Sequence, residues 1–452
     1  LTSTSLFGTD GIRGRANEFP ITPEAALLIG KAIALLCGAS GPGSRKAIIG
    51  KDTRLSGYML ETALTSGLVS MGMDVLLVGP MPTPAVAYLT RSMAADVGIM
   101  LTASHNPFDD NGIKIFGPDG FKISDEMEAA ISRHVQTGDL SSAHIRSDQI
   151  GKAYRLDDAP GRYIEHVKSS VQSCRFQGLT VALDGANGAA YAVAPLILRE
   201  LGARVIKAFS EPDGYNINNG CGALHPETVA GFVRQHNADV GIALDGDADR
   251  IVFCDAEGRT VDGDRIIAMC ALDLHAHGRL ARNTCVVTTM SNLGLHDALR
   301  QAGITVETTD VGDRLVIERL RAIGGNLGGE KSGHVIFLDY ATTGDGILTA
   351  LQVLRLMRER GATLAELAAC MREYPQRLVN VEAPRRPPLE SLPHLQEALH
   401  ECHAALGPYG RTVVRYSGTE PLLRILVETR EEADAHRWAE RLAAAARKDL
   451  AP

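Results

Sequence analysis

Residues 245–250 read DGDADR, so Asp245, Asp247 and Asp249 alternate with small residues and with Arg250. That spacing lets three carboxylates converge on one hard cation. With oxygen ligands alone the candidates are magnesium, manganese or calcium, and zinc fits poorly. An EF-hand would place Gly at the sixth loop position and Glu at the twelfth, where this chain has Arg250 and Ala256, so that reading fails. The plainer alternative is a solvated acidic turn. The apolar run VGIAL directly precedes it, however, and three like charges so close would repel without a cation.

A second chemistry is anion binding. RYSGTEPLLRI (415–425) places Arg415, Ser417, Gly418 and Thr419 in one tight turn, with Arg424 a few residues on. Hydroxyls and backbone N–H groups suit phosphate oxygens there, and an arginine offers a bidentate contact. Ser-Gly-Thr turns are often innocent, but two flanking arginines favour an anion site. GGEKSGH (328–334) offers Glu330, Ser332 and His334 on a Gly-flexed loop, where a carboxylate and a hydroxyl can face vicinal sugar hydroxyls. LFGTDGIRG (6–14) alone reads as a Gly-rich turn with Arg13 solvated. LTASHNPFDDNGIKIF (101–116) sets Ser104 at the polar tip of a strand–loop–strand, which a plain surface loop would also explain.

These loops need elements to hold them. Three segments begin alike, with an apolar strand, a Gly-containing turn and a helical pattern: KAIIGKDTRLSG (46–57), LTVALDGANGAA (179–190) and TCVVTTMSNLGL (284–295). Each continues to a second strand, another helical stretch, and a strand–loop–strand unit that carries one of the loops above. Alternating strand and helix predicts α/β domains with mixed, largely parallel sheets. If the order is shared, three chemically different loops occupy the same place in three related domains. From about 371 the pattern changes to strand, helix, two strands and a final helix, a smaller C-terminal α+β domain. The expected divisions are 1–155, 156–256, 257–370 and 371–452.

At 452 residues, 45% of them hydrophobic and 22% charged, the chain is an ordinary multidomain globular protein. The net charge of −8 and the lack of a basic stripe argue against a nucleic-acid partner. The longest apolar helical stretch is interrupted by Lys31, which argues against a membrane partner. Eight scattered cysteines without CxxC spacing, and no layout of a secretion signal, lead us to expect a reduced, cytoplasmic protein.

TASHNP, DGDADR, GEKSGH and RYSGTEP, in that order, resemble the α-D-phosphohexomutase superfamily across essentially the whole chain. LFGTDGIRG and DYATTGDGILTALQVL (339–354) draw the likeness toward its glucosamine-phosphate branch. The resemblance implies that Ser104 is carried as phosphoserine. It implies one magnesium per chain, held by Asp245, Asp247, Asp249 and an oxygen of that phosphoserine. The implied reaction converts glucosamine 6-phosphate to glucosamine 1-phosphate through glucosamine 1,6-bisphosphate, which supplies precursor for UDP-N-acetylglucosamine and cell-wall synthesis. On this reading Lys114 senses the serine phosphate and helps to move a proton, with His334 the second candidate acid or base. Arg13 and Arg250 steady the phosphoryl group, and Glu330 and Ser332 hold ring hydroxyls. Arg415, Ser417, Gly418, Thr419 and Arg424 grip the phosphate that is not reacting. A homodimer is one assembly the resemblance allows. Lys331 departs from the Gln of many glucosamine-type members and from the Met of the phosphomannomutase/phosphoglucomutase branch, which stands as the alternative enzyme. A catalytically silent, sugar-phosphate-binding regulator is the alternative from another class.

Overall fold

The computed structural model describes residues 6–8, 10–37, 45–417 and 421–451. The chain forms two compact units, one of 1–290 with 304–368 and one of 291–303 with 369–452.

The first unit holds three mixed sheets of the same design. In the first, Met73–Pro80, Arg45–Lys51 and Val97–Leu101 run parallel, and Asp110–Phe116 returns antiparallel to Val97–Leu101. The second repeats this with Arg204–Ala208, Thr180–Asp184, Val240–Leu244 and the antiparallel Ile251–Asp255. The third repeats it with Thr305–Thr309, Thr284–Thr288, Leu327–Gly329 and the antiparallel Val335–Phe337. The shared order expected from the sequence is therefore present. TASHNP, DGDADR and GEKSGH each fill the loop before the antiparallel strand. Val97–Leu101, Val240–Leu244 and Thr284–Thr288 are buried at every residue, as continuous apolar runs in sheets covered on both faces should be.

One difference concerns the opening stretch. The Gly-rich segment is more than a turn: Phe7–Gly8 and Gly11–Arg15 form a hairpin, and Gly11–Arg15 pairs with Asp110–Phe116. Gly11 makes this approach, since a Cβ there would lie 2.5 Å from the carbonyl oxygen of Ile113. The pairing carries Asp10 and Arg13 alongside the strand that bears Lys114.

The second unit is a three-stranded antiparallel sheet with Leu422–Thr429 between Gln376–Glu382 and Gly410–Tyr416. Helices Pro393–Leu406 and Glu432–Leu450 share a core with it, formed by Leu395, Trp438, Leu442, Leu423, Ile425 and Val427. Ser291–Gly303 belongs to this unit. The Asn292 amide accepts from the Tyr374 N–H (2.8 Å) and donates to its carbonyl (3.0 Å). The buried Glu428 carboxylate receives the N–H of Leu293 (2.7 Å) while paired with Arg411 (2.6 Å). All eight cysteines are free thiols. Among the described residues no helix is long and apolar enough to cross a membrane.

Helices Pro23–Leu36 and Ser56–Ser70 pack backbone to backbone in the first unit. A Cβ on Gly67 would lie 2.3 Å from the Leu27 carbonyl oxygen. Alanine gains about 1 kcal/mol of helix propensity there, but overpacking costs about 1–3 kcal/mol. Gly67→Ala is expected to lower the denaturation midpoint, and an unchanged or raised midpoint would refute this contact.

Candidate active site

The loop after Val97–Leu101 holds Ser104 in a left-handed conformation (φ +53°) with its side chain buried. Such a conformation is unfavourable for serine and needs surrounding bonds to hold it. The Ser104 N–H donates to Thr102 Oγ1 (2.9 Å). The Asn218 amide donates to the carbonyls of both Ser104 and Asn106 (2.9 Å each). Arg54, fully buried and paired with Asp52, donates to the Asn106 carbonyl (2.5 Å) and the Ser104 carbonyl (3.3 Å). From the other side, a Cβ on Gly246 would lie 2.5 Å from the Ser104 carbonyl oxygen. Only glycine between the first two aspartates lets the two loops come this close.

The aspartate loop follows Val240–Leu244. Asp245, Asp247 and Asp249 are all buried, and each offers a carboxylate oxygen within 4.8 Å of the others. Ser104 Oγ lies 2.9 Å from Asp245 Oδ2 and 2.9 Å from Asp247 Oδ1. Thr83 fixes Asp247, its hydroxyl donating to Oδ2 (2.6 Å) and its N–H to the carbonyl (3.0 Å). The buried Lys114 ammonium donates to Asp247 and Asp249 (2.9 Å each) and reaches Asp10 at 3.1 Å. Burial and the charges of Asp249 and Asp247 push the Asp245 carboxyl well above its usual range. Burial acts the same way on Asp249, but Lys114 and His334 overcome it and hold that group well below the usual range. Asp249 Oδ1 is buried without a hydrogen-bond partner. An all-oxygen, buried, anionic cluster with an unfilled acceptor fits a hard divalent cation.

Beyond the aspartates, charges alternate around a closed ring. Lys122 donates to Asp10 (2.6 Å) and Asp313 (2.6 and 2.9 Å). His334 lies between Asp249 (Nδ1, 3.6 Å) and Asp313 (Nε2, 3.6 Å). Burial opposes the charged form of Lys114, yet Asp10, Asp247 and Asp249 raise its pKa well above normal. Burial likewise opposes a charged His334, and Asp249 leads the groups that raise its pKa. Its Nε2 accepts the Gly344 N–H (3.0 Å), which directs the ring proton of the neutral form to Nδ1.

One wall of the ring faces a cavity of about 600 Å³ bordered by Asp10, Arg13, Arg250, Asp313, Glu330 and His334 among others. The Arg13 and Arg250 Nε atoms are buried without a hydrogen-bond partner among the described residues, the Arg250 Nε standing 4.0 Å from Asp249 Oδ1. Arg250 also touches His105 Nδ1 (3.1 Å). Glu330 receives the Gly312 N–H (3.1 Å), and the exposed Ser332 hydroxyl stands 3.4 Å from its other oxygen. Ser104, Lys114, Asp245, Asp247, Asp249, Arg250, Arg13, Glu330 and His334 thus converge, with Ser332 at the edge. Asp10, Arg54, Thr83, Lys122, Asn218 and Asp313 join them without having been singled out in the sequence. Asp10 lies within LFGTDGIRG and Arg54 within KAIIGKDTRLSG, but neither pattern marks them as functional.

In the second unit Arg415 and Arg424 face each other across the antiparallel ladder, and Ser417, whose N–H donates to the Leu422 carbonyl (2.8 Å), is buried at the strand end. Directly opposed like charges are unfavourable in a sheet unless an anion joins them. Gly418 and Thr419 lie outside the described residues.

Family profiles described as phosphoglucomutase/phosphomannomutase domains I, II and III match residues 4–142, 161–258 and 262–374, and that of the C-terminal domain matches 378–445. The chain is 51% identical to the phosphoglucosamine mutase of Syntrophotalea carbinolica over 97% of this chain and 96% of that one. It is 50% identical to the phosphoglucosamine mutase of Nitratidesulfovibrio vulgaris over 98% and 99%. A phosphoglucomutase/phosphomannomutase family protein from Burkholderia thailandensis has the same fold, with a TM-score of 0.81 at 23% identity, covering 99% of this chain and 98% of that one. The N-acetylphosphoglucosamine mutase of Aspergillus fumigatus, solved with GlcNAc-6P and magnesium, superposes with a TM-score of 0.64 at 18% identity over 98% and 96%. With a serine between two buried aspartates and nearly full-length likeness at half identity, the chain belongs to the phosphoglucosamine mutase family of the phosphohexomutases, isomerase-class phosphotransferases.

Proposed function

We propose that this enzyme interconverts glucosamine 6-phosphate and glucosamine 1-phosphate through a phosphoserine at Ser104 and a bound glucosamine 1,6-bisphosphate. The observation that carries this is the buried Ser104 Oγ, 2.9 Å from both Asp245 and Asp247. Asp245, Asp247, Asp249 and an oxygen of the phosphoserine would hold magnesium, which supplies Lewis-acid stabilisation to the transferring group. The C1 hydroxyl of glucosamine 6-phosphate takes the phosphoryl group and loses its proton, while Ser104 Oγ leaves and regains one. The bisphosphate then reverses end for end and returns its other phosphoryl group to Ser104. Such a transfer depends on positioning and charge neutralisation, which the fixed network around Ser104 supplies.

Arg13 and Arg250, each with a buried Nε to spare, bind phosphoryl oxygens, and Glu330 with Ser332 binds ring hydroxyls. Lys114 is surrounded by three carboxylates, which suits it to neutralise charge rather than to accept a proton. His334 lines the cavity and is the better proton carrier. Arg415, Ser417 and Arg424, with Gly418 and Thr419, hold the phosphate that does not react. The product would feed UDP-N-acetylglucosamine and cell-wall synthesis in the cytoplasm.

Two measurements test this reading together. A coupled assay on the 6-phosphates of glucosamine, glucose and mannose should favour glucosamine, and a preference for mannose or glucose would move the chain to the other branch. Intact mass should show a phosphoryl adduct that sugar phosphate removes. Ser104→Ala should abolish both the adduct and turnover, and wild-type turnover in that variant would sink the assignment.

Arg415→Ala separates the distal grip from the chemistry. Losing a charge-assisted contact worth about 1.5–3 kcal/mol should weaken the hold on sugar phosphate roughly ten- to a hundredfold. The phosphoserine should still form from a bisphosphate. Normal affinity with no phosphorylation would place Arg415 in the reacting centre instead.

A further inference from the structure

A cavity built for sugar phosphates should be lined by cations, yet four carboxylates border this one: Asp10, Asp249, Asp313 and Glu330. Their bonds separate them. Asp249 belongs to the aspartate cluster, and Asp10 is occupied by Arg13, Lys114 and Lys122. Asp313 and Glu330 remain. Among the described residues Asp313 is hydrogen-bonded by Lys122 alone, with His334 Nε2 farther off at 3.6 Å and turned to accept the Gly344 N–H, and Glu330 receives only the neutral donors Gly312 N–H and Ser332 hydroxyl. A carboxylate accepts up to about four hydrogen bonds, so both keep acceptor capacity. Lys122 keeps Asp313 ionised against the pull of burial. It does so from behind, since it lines a separate recess with Phe121 and Arg314 and does not border the sugar cavity. The Gly312 N–H bond to Glu330 ties the two carboxylates into one patch.

From this we infer that Asp313, with Glu330 beside it, recognises the ammonium group of an amino sugar phosphate, and that Lys122 is the positioning residue that presents Asp313. The inference rests on the reading of the substrate as glucosamine phosphate. Neutral sugars ask only for hydroxyl acceptors, which Glu330 alone provides, and a second ionised carboxylate facing the cavity is matched by a positive charge on the ligand. A neutral hexose phosphate would leave that acceptor unsatisfied and is disfavoured on the same ground.

The test compares kcat/KM for glucosamine 6-phosphate and glucose 6-phosphate in the full-length wild type, Asp313→Asn, Asp313→Glu and Lys122→Met. Asp313→Asn keeps the shape and removes the charge. It should lower the glucosamine-to-glucose ratio by about tenfold or more, mainly through KM for the amino sugar. Lys122→Met should shift the ratio in the same direction, and Asp313→Glu should retain most of the preference. Equal losses on both sugars, which leave the ratio unmoved, would make Asp313 a structural residue only, and unchanged kcat/KM on both would remove it from recognition altogether. A wild type that turns over both sugars equally well would overturn the substrate reading and this inference with it. A wild type selective for glucosamine but with an unmoved ratio in Asp313→Asn overturns the inference alone.

Discussion

Burying three carboxylates on one turn of chain is the constraint around which the first unit is arranged. Desolvation disfavours each charge, and each carboxylate disfavours its neighbours. Lys114 offsets part of this from Asp110–Phe116, an inner strand of the first sheet, which is why a buried ammonium sits where an apolar side chain would otherwise pack. Its charge in turn draws in Asp10, whose second oxygen draws in Lys122, and Lys122 holds Asp313. Each buried charge needs a partner, so one cluster recruits a strand residue, Lys114, together with loop and helix residues such as Asp10, Lys122, Asp313 and His334.

The repeated sheet design makes that recruitment geometrically simple. A loop between a buried parallel strand and an antiparallel return occurs three times, once with serine, once with the aspartates and once with glutamate and histidine. The same backbone solution thus presents three chemistries. Rigid strands, rather than the loops themselves, set the positions. The left-handed Ser104 is held by Asn218, Arg54 and the close passage of Gly246, contacts that leave its side chain one direction.

Much of this was legible in the sequence, and the part that was not has a common cause. DGDADR, TASHNP and GEKSGH are local patterns, in which neighbouring residues already imply one ligand or one loop. The strand–helix alternation likewise pointed to three related α/β domains, and the change of pattern after about 371 to a smaller α+β tail, whose antiparallel pairing only the structure shows. Arg54, Thr83, Lys122, Asn218 and Asp313 matter through partners far away in the chain, and nothing in their immediate surroundings marks them. The placement of Ser291–Gly303 with the C-terminal residues was hidden for the same reason, since it rests on Asn292 meeting Tyr374 and on Glu428 meeting Leu293. LFGTDGIRG looked like a turn because its strand character exists only once Asp110–Phe116 is beside it.

The electrostatics of Asp245 link the chemistry to folding. A carboxyl whose pKa is raised on folding binds more protons in the folded state than in the unfolded one. Stability therefore falls as pH rises from the unfolded value, near 3.9, through the raised folded value. Without a cation, then, ionising Asp245 costs stability at neutral pH. A divalent ion among Asp245, Asp247 and Asp249 reverses the sign for that group, because it binds the ionised form and only the folded chain assembles the three oxygens. Lys114 cannot take over this role, since its donors are directed to Asp247, Asp249 and Asp10 and none reaches Asp245. The aspartate that Lys114 leaves unpaired is also one of the two that touch Ser104 Oγ. Charge that the fold leaves uncompensated is thus concentrated beside the serine, where a cation would both complete the fold and serve the transfer.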